Sequence, residues 1–542
     1  MATSDSESTS TTGLIVFVHG LHPVPWVSDY GPMEELLKKC IPGCDLVSYK
    51  YWGSYWSGQD PDVLAADLES TIARAVENKS VPCLYLVGHS YGALLLRRAI
   101  LNDMEKEEKA RWHRRVNGAI LLGGANRGFL PYNVLWKSAA AVARLFQFLP
   151  SPWAMGQLAL KGLRGSNWVT VLRMTWIKRR DTVPFTVQIR GTKDSLVGPH
   201  DSLDVTLSPK SAELVITGVG HKDLALLNRN NLAAVSTPLE KTITAAREAI
   251  DAGKATPEPS HSQPHHVVFL IHGIRDFAEW HEDLAETIRK VAYGNLQTVE
   301  VEPISYGYFS ALQFLIPLAR RRCARAFLDR YVQCYARKPE ARFSVVAHSN
   351  GTFALTCAME QNQAVEISRI LLAGSVLYRK FNWSRLLGER SEKTRVRNEC
   401  ATQDWPVGAI CWFLRMVYWR RLGTSGVYGF KGSFVNSSNV TFLINNWRAG
   451  GHSVALNARY HEEIAKFLLP SDKDPALSAE PAAGTALPIS KLLWVFRVIL
   501  LIIVGVLGYL YFKVATACLA AWLTVVLSAT VTVLSLIFLL IV

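Results

Sequence analysis

The chain contains the same turn twice, and each copy requires a strand, a sharp bend and a helix in that order. Val87-Gly88-His89-Ser90-Tyr91-Gly92 is the first copy and Val346-Ala347-His348-Ser349-Asn350-Gly351 the second. Each lies downstream of an apolar run that closes on His-Gly, at His19-Gly20 and His272-Gly273. The serine follows that first histidine by 71 residues in one copy and 77 in the other. Small residues two before and two after the serine let a strand and a helix approach closely at the bend. Residues 83–87 and 343–346 read as buried strands, and 93–100 and 353–359 as helices. A lone small-His-Ser-x-Gly also arises by chance in ordinary turns. The matched flanks, seen twice, make that reading the weaker one.

These motifs resemble the elbow of the α/β-hydrolase superfamily, in particular its esterase and lipase-like members. The resemblance covers roughly 13–250 and 265–470. It implies two tandem α/β-hydrolase domains, each a mostly parallel sheet flanked by helices. It also implies a serine nucleophile with an acid and a histidine following in chain order. A serine hydroxyl is a weak nucleophile and needs an adjacent base. In the first half, 184–190 reads as a strand and leads to Asp194, and 213–217 reads as another and leads through Gly218 and Gly220 to His221. Asp181, Asp201 and Asp204 are rival acids and His200 a rival base. Asp194 and His221 are preferred because each directly follows a strand. In the second half, 394–400 precedes Asp404, and 440–444 precedes Gly450-Gly451-His452. Glu399 is the weaker rival acid there, and His461 is the next histidine. The candidate catalytic sets are Ser90, Asp194, His221 and Ser349, Asp404, His452. The oxyanion donors implied are the backbone N–H groups of Leu21 and Tyr91, and of Ile274 and Asn350. No cofactor or metal is implied.

Further pairings extend the repeat. Residues 62–77 place Leu64, Leu68, Ile72 and Val76 on one helix face, with 312–335 as the counterpart. Residues 47–52 and 304–309 read as a shared buried strand in preference to a binding element. Residues 120–128 resemble the segment where a strand ends beside the site. The covering insertions differ: the first half has about fifty residues before Thr182, and the second carries its aromatics after Asp404, beginning with Trp405 and Trp412. Aromatic covers suit acyl substrates, and ordinary helix packing explains them equally well.

Length suits two domains and an appendage. Residues 1–12 read as a disordered leader, 251–264 and 471–490 as linkers, and 491–542 as a carboxy-terminal membrane anchor. That tail holds no charge from 514 to 542, where a span needs about twenty apolar residues. Two helices, or one span plus an interfacial helix, are both readable. With no signal sequence, the hydrolase domains are expected to face the cytoplasm. The nine cysteines form no metal-like pairs and read as reduced. A net charge of +14, with basic clusters such as 320–325 and 178–180, suits an anionic membrane surface. No nucleic-acid module accompanies these clusters. The reading is therefore a membrane-anchored serine hydrolase acting on ester or related acyl bonds, lipids among the candidates. The alternatives are a catalytically silent or half-silent scaffold of the same fold, and an acyltransferase using the same residues.

Overall fold

The computed structural model describes residues 13–22, 29–77, 81–106, 111–129, 156–198, 201, 204, 208–227, 231–253, 266–273, 279–304, 314, 317–416, 421–469 and scattered positions from 495 to 528. Two six-stranded sheets, parallel throughout, organise it. The first holds β1 (Gly13–Val18), β2 (Cys44–Tyr49), β3 (Cys83–His89), β4 (Val116–Leu122), β5 (Thr186–Gly191) and β6 (Ser211–Ile216), in the order β2-β1-β3-β4-β5-β6. The second holds β7 (His266–Ile271), β8 (Val299–Ile304), β9 (Arg342–His348), β10 (Arg369–Ala373), β11 (Arg395–Ala401) and β12 (Leu443–Arg448), in the order β8-β7-β9-β10-β11-β12. The second order repeats the first, strand for strand.

Among the described residues, the helices of eight residues or longer are α1 (Gly31–Cys40), α2 (Pro61–Glu77), α3 (Tyr91–Glu105), α4 (Asn167–Lys178), α5 (Leu232–Ala252), α6 (Glu279–Gly294), α7 (Pro317–Arg337), α8 (Asn350–Gln361) and α9 (His461–Leu468). Helices cover both faces of each sheet, so the central strands read as unbroken apolar runs, GLIVFV in β1 and HVVFLI in β7. Alternate residues divide between the faces. Leu14, Val16, Val18, Leu84 and Leu86 pack with α2, α3 and α4, whereas Ile15, Phe17, Tyr85 and Val87 pack with α1 and α5. In the second sheet, Val267, Phe269 and Ile271 face α7 and α8, whereas Val268 and Leu270 face α6 and α9.

In each sheet the chain winds outward in opposite directions from the pair β1/β3 or β7/β9. Such a switch point opens a crevice at the carboxyl ends of its two strands, because the loops leaving them diverge. Ser90 and Ser349 follow β3 and β9 directly, at these crevices.

The domains touch. Met174 and Ile177 of α4 are buried within the core of the second domain, beside α7. Alongside runs a chain of ion pairs. Arg97 Nη2 bonds Asp204 Oδ2 (2.8 Å), and Arg173 reaches both Asp204 (3.4 Å) and Asp329 (3.2 Å). Arg127 grips Asp329 with two nitrogens, at 2.8 and 2.6 Å. Asp329 lies in α7, so a second-domain carboxylate anchors the loop that leaves β4.

One expectation is overturned. Among the described residues, no helix is long and apolar enough to cross a membrane. The transmembrane segment of the expected fold is therefore corrected to two parallel α/β domains without it. Absence of charge over 514–542 is a composition signal and does not by itself specify a spanning helix. Smaller shifts also appear. β12 begins at Leu443, where the sequence places a strand at 440–444, and β2 and β8 end at Tyr49 and Ile304. The residues before β12 instead make an isolated bridge, Val435 with Thr441.

Candidate active site

Both serines occupy strained backbone. Ser90 has φ 52 and ψ −114, and Ser349 has φ 53 and ψ −119. Non-glycine residues in such regions cost about 1–3 kcal/mol each and persist only where their surroundings hold them. Here the hold is visible. The Ser90 N–H donates to Leu122 O (3.0 Å), and its carbonyl accepts from Ala93 and Ala125 N–H (both 3.2 Å). The Ser349 N–H donates to Ala373 O (2.9 Å), and its carbonyl accepts from Thr352 N–H (3.0 Å). The flanking glycine is obligatory. A Cβ on Gly92 would strike the carbonyls of Val18 and His19, and one on Gly351 would lie 2.7 Å from Ile271 O. At the position before, a Cβ on Gly88 would come within 2.9 Å of Ala93 N, whereas the second copy accommodates Ala347 fully buried.

The first expected set comes together. His221 Nδ1–H donates to Asp194 Oδ2 (2.8 Å), and His221 Nε2 lies 2.8 Å from Ser90 Oγ. Asp194 Oδ1 accepts from the N–H groups of Leu196 (2.8 Å) and Val197 (2.9 Å), so the carboxylate cannot swing away. Its side chain is wholly buried. The second set is assembled in part. His452 Nδ1–H donates to Asp404 Oδ2 (2.7 Å), and Asp404 Oδ1 accepts from Val407 N–H (3.0 Å). Among the described residues, however, no hydrogen bond joins Ser349 to His452. Ser349 Oγ instead sits 3.2 Å from where a Cβ on Gly273 would lie.

The rivals are engaged elsewhere. Asp201 pairs with Arg164 (2.6 Å) and Asp204 with Arg97, while Asp181 is exposed. Glu399 is clamped by Arg448 (3.0 Å) and Arg397. His461 donates to Leu456 O (2.9 Å), and His200 lies outside the described residues. Of the expected oxyanion donors, Tyr91 and Asn350 open α3 and α8, where the first N–H groups of a helix have no partner within it. Leu21 follows the His19-Gly20 turn, and Gly20 is packed so closely that a Cβ there would lie 2.8 Å from Ser90 Cβ. Among the described residues, neither the Leu21 nor the Tyr91 N–H meets an acceptor within the chain. Ile274 lies outside the described residues. In the second site Asn350 Oδ1 is buried with no partner, an uncommitted acceptor where the first site has Tyr91.

The structure adds residues that sequence reading missed. The His19 ring stacks on Tyr51 (4.3 Å between centroids), whose hydroxyl donates to the His19 carbonyl (2.9 Å). Tyr51 lies past the end of β2, so the aromatic pair 47–52 is more than a buried strand. Its second-half counterpart at 305–309 lies outside the described residues. Tyr30 Oη and His22 Nε2 are 2.6 Å apart. Burial, then the neighbouring His19 and Lys222, lowers His22 to about 4. His89 is driven well below its ordinary value, first by burial and then by His221. Neutral His89 Nε2–H donates to the His221 carbonyl (3.1 Å), steadying the residue that meets Ser90. The signal available in sequence was the spacing His19-x-x-His22 and the His before each serine.

Comparison with known proteins agrees with this architecture. Residues 15–253 match the alpha/beta hydrolase family. The α/β-hydrolase resemblance of the sequence thus holds, and the second sheet repeats its strand order. No curated protein matches the chain. Among solved structures, it is similar to a monoacylglycerol lipase from Paleococcus ferrophilus, at 14% identity and TM-score 0.30, over 44% of this chain and 96% of that one. An esterase from Rhodococcus sp. is similar at 16% identity and TM-score 0.27, over 45% of this chain and 92% of that one. The phospholipase PlaB from Legionella pneumophila is similar at 14% identity and TM-score 0.31, over 48% of this chain and 70% of that one. Likenesses at this level leave the substrate to the chemistry of the site.

Proposed function

We propose that the chain is a serine hydrolase that cleaves carboxylic esters at Ser90. The observation that carries this reading is the His221 imidazole bridging Ser90 Oγ and Asp194 Oδ2, at 2.8 Å on each side. Ser90 Oγ attacks the acyl carbon while its proton passes to His221 Nε2, and Asp194 stabilises the imidazolium. The N–H groups of Leu21 and Tyr91 receive the developing oxyanion, and one such donor contributes about 3–4 kcal/mol of barrier lowering. His221 then protonates the leaving alcohol. In the second half-reaction His221 takes a proton from water as its oxygen attacks the acyl carbon; the acyl–Oγ bond then breaks, and His221 returns the proton to Ser90 Oγ as the acid leaves. The match of residues 15–253 to the alpha/beta hydrolase family suits this hydrolysis, with lipid esters among the candidate substrates.

A second reading concerns the second domain. Its acid–base pair is formed, but among the described residues its serine makes no hydrogen bond to the base. We read Ser349 as an unengaged copy.

Labelling of the full chain with a fluorophosphonate probe, with peptide mapping of the adduct, tests both readings. The expected adduct is on Ser90, with little on Ser349. Absence of an adduct on either serine, together with ester hydrolysis unchanged in Ser90→Ala, overturns the assignment.

A further inference from the structure

Two routes run from the second domain to the hydrolytic residues of the first, and both start on one face of α7. Arg325 and Asp329 lie four residues apart on that helix, so they share a side of it. Asp329 accepts from Arg127 Nε (2.8 Å) and Nη2 (2.6 Å), a paired contact that fixes direction as well as distance. Arg127 belongs to the loop after β4. Two residues earlier in that loop, Ala125 N–H donates to the Ser90 carbonyl (3.2 Å). Between them, the Asn126 carbonyl accepts from Arg97 (3.4 Å), whose other arm meets Asp204 and through it Arg173 and Asp329. Three consecutive residues are thus pinned, Ala125 to the elbow, and Asn126 and Arg127 to the ion pairs that end on Asp329.

The second route reaches the acid. Gly165 packs so closely on α7 that a Cβ there would strike the Arg325 carbonyl. Its neighbour Arg164 pairs with Asp201 (2.6 Å), and Asp201 accepts from Gly198 N–H. The residue before, Val197, donates its N–H to Asp194 Oδ1 (2.9 Å). The loops that hold the serine and the acid are therefore both fixed against α7. Ser90 needs such a hold, because strained backbone at φ 52 relaxes wherever its surroundings permit. The side chains of Arg127 and Asp329 are 16% and 12% exposed, so water does not readily replace their contact.

We infer that the second domain braces the first site, with Asp329 and Arg127 as positioning residues that keep Ser90 Oγ against His221. This role rests on the reading of Ser90 as the nucleophile, and it does not require Ser349 to react. A misplacement of about 1 Å from a remote change costs on the order of a hundredfold in rate. The Ser90–His221 contact, at 2.8 Å, leaves little slack for one.

The test compares Asp329→Asn, Arg127→Met and Met174→Ala in the full chain. Met174 is buried in the second domain's core and carries no charge, so its truncation loosens the interface without removing an ion pair. Hydrolysis of a p-nitrophenyl ester is measured per active site, with sites counted by fluorophosphonate titration, so unfolded molecules drop out of kcat. Asp329→Asn and Arg127→Met are each expected to lower kcat per site about tenfold or more, with KM within about twofold. The double variant is expected to lose no more than either single one, because both break the same contact. Met174→Ala is expected to lower Tm and to keep kcat per site within about twofold. Amide hydrogen exchange over 123–128 is expected to quicken roughly tenfold in the two charge variants and not in Met174→Ala. Unchanged kcat per site in Asp329→Asn overturns the brace, and an equal loss in Met174→Ala does so too, by showing general loosening. If wild-type Ser90 takes no label, the hydrolytic reading is what fails. Exchange over 123–128 then decides the brace by itself: quickening confined to the charge variants upholds it, and its absence overturns it.

Discussion

His221 Nε2 lies 2.8 Å from Ser90 Oγ, whereas the corresponding His452 makes no hydrogen bond to Ser349 among the described residues. Two domains with one strand order and one elbow geometry thus differ at the contact between serine and histidine. Their elbow φ values agree to within a degree, so the backbone of the turn is not what separates them.

This relationship predicts unequal serines. Ser90→Ala is expected to lower kcat for a short-chain p-nitrophenyl ester by roughly 10⁴-fold or more, because triad members act as a unit. Ser349→Ala is expected to leave at least half of the activity. Steady-state kinetics on both variants decides this, and the reverse ranking refutes it.

The glycines after the serines are predicted to be irreplaceable. Gly92→Ala sets a Cβ against the Val18 and His19 carbonyls, which belong to a central strand and the turn after it. A loss of about 1–3 kcal/mol is expected, typical of an overpacked core. Urea denaturation measures that loss, and Ser90 labelling should fall with it.

At the domain interface, Asp329→Ala is expected to cost about 3–5 kcal/mol, because it leaves partly buried Arg127 without its carboxylate and buried Arg173 with Asp204 alone. A fall in urea midpoint measures it. A change below about 1 kcal/mol would mean that the guanidinium groups regain water.

Acid should destabilise the first domain through His22. Its folded value of about 4 lies below the ordinary 6.5. Between these values the unfolded chain binds the extra proton and the folded chain does not, so stability falls as pH drops from 6.5 toward 4. The group contributes no such loss above pH 6.5. His22→Gln is expected to flatten the fall in Tm across this window. An unchanged slope would assign it to other buried histidines, His89 and His19.

Much of this was legible in the chain because local rules govern it. The elbow needs small residues at fixed offsets, buried parallel strands need unbroken apolar runs, and the acid and base follow strand ends. Asp194, His221, Asp404 and His452 were found by those signals, and the structure brings each acid to its histidine. Strand edges were read less well where an aromatic run continues past a strand, as at Tyr51, because packing on His19 satisfies the ring without sheet pairing. The tail expectation rested on absence of charge, which constrains solvation and does not by itself specify a spanning helix.

The sequence alone determined the duplicated α/β architecture and proposed the residues of each candidate site, since these depend on backbone sterics and hydrophobic periodicity over short stretches. Only the tertiary structure decided which serine meets its histidine, which carboxylates are spent on arginines, and that Asp329 of one domain braces Arg127 of the other. Those outcomes turn on rotamers and on contacts between residues up to 202 positions apart. No local pattern encodes such contacts, because their energies arise only after the sheets have formed and the domains have packed.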